Sequence, residues 1–141
     1  MFIVMQFIRP AQNKSSEEQQ GDLTKHFDVP TNVANILKTS CYDCHSNNTQ
    51  YPWYTNIQPV GWLLAKHIED GKEDLNFNEF ANYSQRRQLS KLKATQNSIK
   101  DGSMPLSSYT LIHTDAKLSK ESKALILDWT AKTIDSLSDS D

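Results

Sequence analysis

The chain has 141 residues, 37% of them apolar and 23% charged, a composition that suits one globular domain with a modest core. Its 15 Lys and Arg against 17 Asp and Glu leave a formal charge of −2, so no basic surface for nucleic acid is expected. Cys41 and Cys44 are the whole thiol inventory, which excludes a disulfide framework.

The chain opens with an apolar run, Met1 to Ile8, too short to cross a bilayer, which takes about 20 residues. We read it as the C-terminal end of a membrane anchor or signal; a short strand is the plainer alternative. Ala11 to Gly21 is rich in Ser, Glu, Gln and Asn and reads as a flexible linker. The expected organisation is residues 1–21 as anchor remnant and linker, and residues 22–141 as the folded domain.

Within that domain the periodicity is helical. A first helix is expected from Pro30-Thr31, with Thr31 as N-cap and Val33, Ile36, Leu37, Cys41 and Cys44 on one face. Residues 46–58 hold Pro52, three Asn and the aromatics Tyr51, Trp53 and Tyr54, which predicts an irregular loop wrapping its rings around something apolar. Pro59 is placed to start a second helix and Gly71 to end it, with Val60, Leu63, Leu64, His67 and Ile68 as its apolar stripe. A third helix is expected from near Ser84 to Lys100, with Leu89, Leu92 and Ile99 inward. An extended loop follows from Asp101 to His113, where Gly102 and Pro105 bracket Met104. The last helix has Ser119 as N-cap and Leu125, Ile126 and Trp129 on one side. No segment alternates as a strand would, so the fold class is all-α.

The chemistry is concentrated in Cys41-Tyr42-Asp43-Cys44-His45. Cys-X-X-Cys-His is the pattern of c-type haem attachment: two thiols that can each add to a vinyl group, followed by an imidazole for the iron. Two other chemistries compete for these residues. A thioredoxin-like redox pair wants a βαβ setting, which the helical periodicity denies. A Cys2His2 zinc site would draw two ligands from His26, His45, His67 and His113, which are scattered without a close pair. If an iron is bound, a thioether from Met104 is the expected second axial ligand, with His67 as the alternative and His113 as an outside candidate.

Cys-X-X-Cys-His followed by Met104-Pro105 and a C-terminal helix bearing an aromatic resembles the class I cytochromes c. More narrowly, Cys41-Tyr-Asp-Cys-His-Ser-Asn-Asn-Thr, Tyr51-Pro-Trp-Tyr, Ile57-Gln-Pro-Val, His67-Ile-Glu-Asp-Gly, Leu75-Asn-Phe and Gly102-Ser-Met-Pro resemble the bacterial haem-binding domain family of small anchored cytochromes, from about Asp22 to Ile134. The resemblance implies a cytochrome c-like all-α domain around one covalent haem c, with Cys41 and Cys44 as thioether anchors, His45 as proximal ligand and Met104 at the family's Met-Pro position. It implies an electron carrier, not an enzyme, working with redox partner proteins in the bacterial periplasm. Its membrane contact would be an N-terminal segment tethered to the inner membrane. The alternative is a haem-based redox or small-ligand sensor with an open or labile distal site; a peroxidase-like activity would need His67 or His113 as acid or base.

Overall fold

A computed structural model describes residues 1–140. The described residues are all-helical, as the periodicity predicts, with no strand among them. Four helices make the frame: α1 (Thr31–Ser40), α2 (Val60–Asp74), α3 (Gln85–Asp101) and α4 (Lys120–Asp139). Short helical turns link them, at Leu23–His26, Trp53–Asn56, Phe77–Asn82, Ser107–Thr110 and Thr114–Ala116. No helix among the described residues is long and apolar enough to cross a membrane.

Helices α3 and α4 begin where side-chain caps dictate. Ser84 Oγ accepts from the Arg87 amide and Ser119 Oγ from the Ser122 amide, each satisfying a first-turn donor that the helix itself cannot. Helix α1 starts differently from expectation: Pro30 is the cap and Thr31 the first helical residue, with no side-chain cap bond. Helix α4 packs across α3 and α1. The main core gathers Leu23, Val33, Leu37, Leu75, Phe77, Phe80, Leu92 and Trp129, and a smaller cluster joins Ile99, Leu118 and Ile126. Leu125 stands outward, and α4 buries Thr130 and Thr133 beside Ile126 and Trp129.

Helix α2 overturns two expectations. It runs through Gly71 to Asp74, and of its predicted stripe only Ile68 is buried, while Val60 and Leu63 are exposed. The buried face is marked by glycine instead. A Cβ on Gly61 would lie 2.3 Å from the Thr55 carbonyl oxygen, and one on Gly71 would lie 2.6 Å from that of Cys44. Where a helix presses this closely on neighbouring backbone only glycine fits, so hydropathy assigns the wrong face.

The segment expected to be a flexible linker lies along the domain. Asn13 is its main attachment: its amide donates to Tyr51 Oη (2.6 Å), its side-chain Nδ2 to the Ser46 carbonyl (2.8 Å), and its Oδ1 accepts from Lys72 Nζ (2.7 Å). Further along, Ser15 and Gln19 bond to Asn48 and Asn47. A polar composition is shared by linkers and by segments that hydrogen-bond to a surface, so composition alone does not separate them.

Candidate functional site

Helix α1 stops at Ser40, and residues 41–45 form their own turn in place of continuing the helical stripe. Cys41 caps the helix, its amide bonding to the Leu37 carbonyl, while its own carbonyl accepts from the amides of Cys44 (3.2 Å) and His45 (3.0 Å). What draws the chain aside is Tyr42, stacked on Phe77 with ring centroids 5.3 Å apart and its hydroxyl on Asp22. Asp22 is buried yet fully partnered, accepting from the Thr24 amide and hydroxyl and from Asn78 Nδ2 (2.7 Å), as a buried carboxylate must be.

After the motif, Ser46-Asn47-Asn48-Thr49 clamps it from below. Ser46 Oγ donates to the Tyr42 carbonyl and Thr49 Oγ1 to the Asp43 carbonyl, both at 2.6 Å. The Asn47 amide donates to Asn78 Oδ1, and Asn76 Nδ2 donates to Asn47 Oδ1. Short polar side chains that bond to nearby backbone are suited to fixing irregular chain.

His45 is the most constrained member of the turn. Its Nδ1 lies 2.8 Å from the carbonyl oxygens of both Gly71 and Leu75 at the end of α2. Both partners only accept, so Nδ1 carries the proton and the Nε2 lone pair is left free. Phe77 sets its ring edge against the imidazole, and its amide bonds to the His45 carbonyl. Gly71 therefore has two tasks: its carbonyl fixes the imidazole, and its missing side chain lets α2 lie against Cys44.

Two adjoining clefts, of about 80 and 390 Å³, share Ser40, Cys41, His45, Asp74, Met104 and Pro105 in their walls. One extends over Leu75, Phe77, Ile99 and Leu118; the other adds Cys44, His67, Gly71 and Tyr109. The larger of the two is within the size range of a pocket for a small molecule or cofactor. Cys41, His45 and Met104 thus meet around one space, and His67 borders one of its two halves. Burial pushes the Cys41 thiol up to about 12 and the Cys44 thiol up to about 11, opposite to the lowered values of redox-active thiols.

Met104 is reached through a defined end of α3. Gly102 takes a left-handed φ of 78° as the helix C-cap, a place where glycine is favoured. The Met104 amide then bonds back to the Ser98 carbonyl (3.2 Å), leaving its side chain 36% exposed. Beyond it, Tyr109 donates from its hydroxyl to Asp43 Oδ2 at 2.6 Å. This bond joins the Met104 loop to the Cys-X-X-Cys turn.

Other residues singled out in the sequence lie elsewhere. Tyr51, Trp53 and Tyr54 are not in the walls of either cleft; Tyr51 holds Asn13, and Trp53 is 76% exposed. His113 is engaged by the Tyr54 hydroxyl and stacks on Tyr109. His26 bonds to the Gln20 carbonyl. Among the described residues no group of three or more His, Cys, Asp or Glu is placed to hold a metal ion, so the zinc alternative finds no ligand set. The parts that Asp22, Gly71, Asn78 and Tyr109 play at the site give no signal in the sequence, where Gly71 reads only as a helix end, because single residues in loops and at helix ends show no periodicity.

A family model described as a haem-binding domain matches residues 1–132. No curated protein and no solved structure matches the chain.

Proposed function

The chain belongs to the haem-binding domain family, and on that footing we propose that it carries one covalent haem c and moves electrons in the bacterial periplasm. The observation that carries this reading is the fixed tautomer of His45, whose Nδ1 is held by two backbone carbonyls beside a cleft walled by both Cys41 and Met104. A ligating histidine wants this arrangement, because the bond at the far nitrogen orients the ring and raises its basicity. The donor set also fits: two thiols on one tight turn for the thioethers, one imidazole nitrogen and one thioether for the iron, and apolar walls at Leu75, Phe77, Ile99 and Leu118.

Bound haem would supply an iron couple that gains and loses one electron. The chain's own residues would set the conditions for that exchange. Cys41 and Cys44 would hold the group on the turn that follows α1, anchored where the Cys41 amide bonds to the Leu37 carbonyl. His45 offers Nε2 while Gly71 and Leu75 stop its ring from rotating. Met104 offers a thioether, a ligand that raises the potential relative to a second imidazole or water. No residue here is assigned a catalytic role, and redox partner proteins complete the function. The periplasmic setting follows from the chemistry of thioether attachment, done outside the cytoplasm in bacteria, and the apolar run from Met1 to Ile8 would be the C-terminal end of a segment that tethers the domain to the inner membrane.

Protein produced in a host that attaches haem c is expected to keep its haem through acid–acetone extraction and to cycle reversibly between ferric and ferrous forms with a redox mediator. Failure to reoxidise cleanly would defeat the carrier reading. A sensor reading draws on one observation: Met104 is partly exposed, with His67 in the wall of the neighbouring cleft. Rapid, tight carbon monoxide binding by the ferrous form would favour the sensor, and resistance would favour the carrier.

A further inference from the structure

Residues 1–8 and the 20 residues from Ser46 to Ala65 carry no charged side chain. They are far apart in sequence and are joined in the fold. Gln6 Nε2 donates to the Gln58 carbonyl (3.2 Å), the Gln58 amide donates to Gln6 Oε1 (2.9 Å), and Trp62 Nε1 donates to the Ile8 carbonyl (2.8 Å). These bonds absorb polar groups of both segments and leave their apolar side chains uncovered. Of the fourteen exposed large apolar side chains among the described residues, ten belong to these two segments, including Phe7 (83%), Trp53 (76%) and Leu63 (57%). Scattered exposed apolar residues need no explanation, but a concentration of them does.

We infer that this surface, built from the N-terminal segment together with Trp53, Ile57 and Leu63, is seated on a lipid bilayer, so that the folded domain and not only its tether touches the membrane. The occupant follows from how the apolar groups are disposed. Phe2, Ile3 and Val4 are consecutive, lie in one helical turn and are all exposed, so this turn is apolar all round. A groove on a protein covers one side of such a helix, whereas lipid covers every side. Trp53 and Tyr54 beside uncharged Thr55, Asn56 and Gln58 suit the boundary between acyl chains and headgroups, where amphipathic rings collect. The exposed Arg9, directly after the apolar run, suits the anionic headgroups there. The inference deepens the tethered reading and rests on it for the seat of residues 1–8.

The test is partition of the full chain into vesicles of phosphatidylethanolamine and phosphatidylglycerol, read by flotation and protein mass so that haem content does not enter. Two variants separate the parts: Trp53→Ser/Ile57→Ser/Leu63→Gln on the domain, and Phe2→Ser/Ile3→Ser/Phe7→Ser in the N-terminal segment. All six positions are exposed, so both are expected to keep the wild-type circular dichroism. Loss of partition by about tenfold or more in each variant supports the inference. Wild-type partition by the domain variant, with loss only in the N-terminal one, overturns the inference and leaves the tether standing. No partition by the wild type removes both. A lipid-free wild type that dimerises, with a monomeric domain variant, assigns the surface to a second copy and also overturns it.

Discussion

The side of the molecule built on Leu23, Phe80, Leu92 and Trp129 and the side that carries His45 are held by different forces. In the first, apolar side chains fill the space between α1, α3 and α4, and Phe80 is wholly buried with Phe27 edge-on at 5.3 Å. In the second, short polar side chains and backbone carbonyls hold an irregular turn beside an open cleft: Ser46, Thr49, Asn47, Asn76 and Asn78 fix the chain, and Gly71 and Leu75 fix the imidazole. Packing gives stability without needing exact direction. Hydrogen bonds contribute less each, but they fix orientation, which an axial ligand requires. Substitutions on the two sides should therefore separate loss of fold from loss of site.

The largest effect should come from the turn itself. Cys41→Ala/Cys44→Ala is expected to abolish haem that survives acid–acetone extraction, and His45→Ala to abolish the low-spin spectrum, while far-UV circular dichroism stays helical. On the packed side, Phe80→Ala should lower unfolding free energy by about 3–5 kcal/mol, measured by urea denaturation, with unchanged axial ligation in whatever fraction remains folded. A wild-type midpoint for this variant would mean that the core does not rest on this ring.

Gly71→Ala sits where the two sides meet. Its added methyl meets the Cys44 carbonyl at 2.6 Å, and overpacking of this kind costs about 1–3 kcal/mol. An altered His45 environment is also expected, seen as a changed low-spin signature in electron paramagnetic resonance; a purely thermal defect with an unchanged signature would deny Gly71 its part in fixing the imidazole. Tyr109→Phe is the mildest of the set. It removes one hydrogen bond to Asp43, about 1 kcal/mol, and frees the Met104 loop, so stopped-flow carbon monoxide binding to the ferrous protein should speed up with little change in stability.

The same division of forces explains what could be read from the sequence. Helix α3 is legible to within about a residue, and α1 and α4 at their starts, because caps and buried positions follow simple rules, as at Ser84, Ser119, Leu92 and Trp129; the end of α1 is not, since the apolar stripe points on to Cys41 and Cys44 while the helix stops at Ser40. Helix α2 misled because its buried face is written in glycine, at 61 and 71, and its exposed face in leucine and valine. The Ser-Asn-Asn-Thr turn was recognisable as part of a resemblance, yet its physical work, bonding to the backbone of Tyr42 and Asp43, shows only once the chain is folded. Residues 11–21 read as a linker for the same reason: the partners of Asn13 are 33 to 59 positions away. The residues of the proposed site are individually conspicuous in sequence; Asn78 and Tyr109 are not, and Gly71 and Leu75 stand out only as a helix end and as part of a resemblance, with nothing to show that their carbonyls hold His45.

The most direct test of the central claim is the absorption spectrum, oxidised and dithionite-reduced, of wild type and Met104→Ala from a host that attaches haem c. Low-spin haem is expected in the wild type with the weak far-red band of a thioether–iron bond, and loss of that band in Met104→Ala with the fold retained. Low-spin haem without the band, or a band that survives Met104→Ala, would contradict the His45/Met104 pair; absence of any haem would contradict the account as a whole.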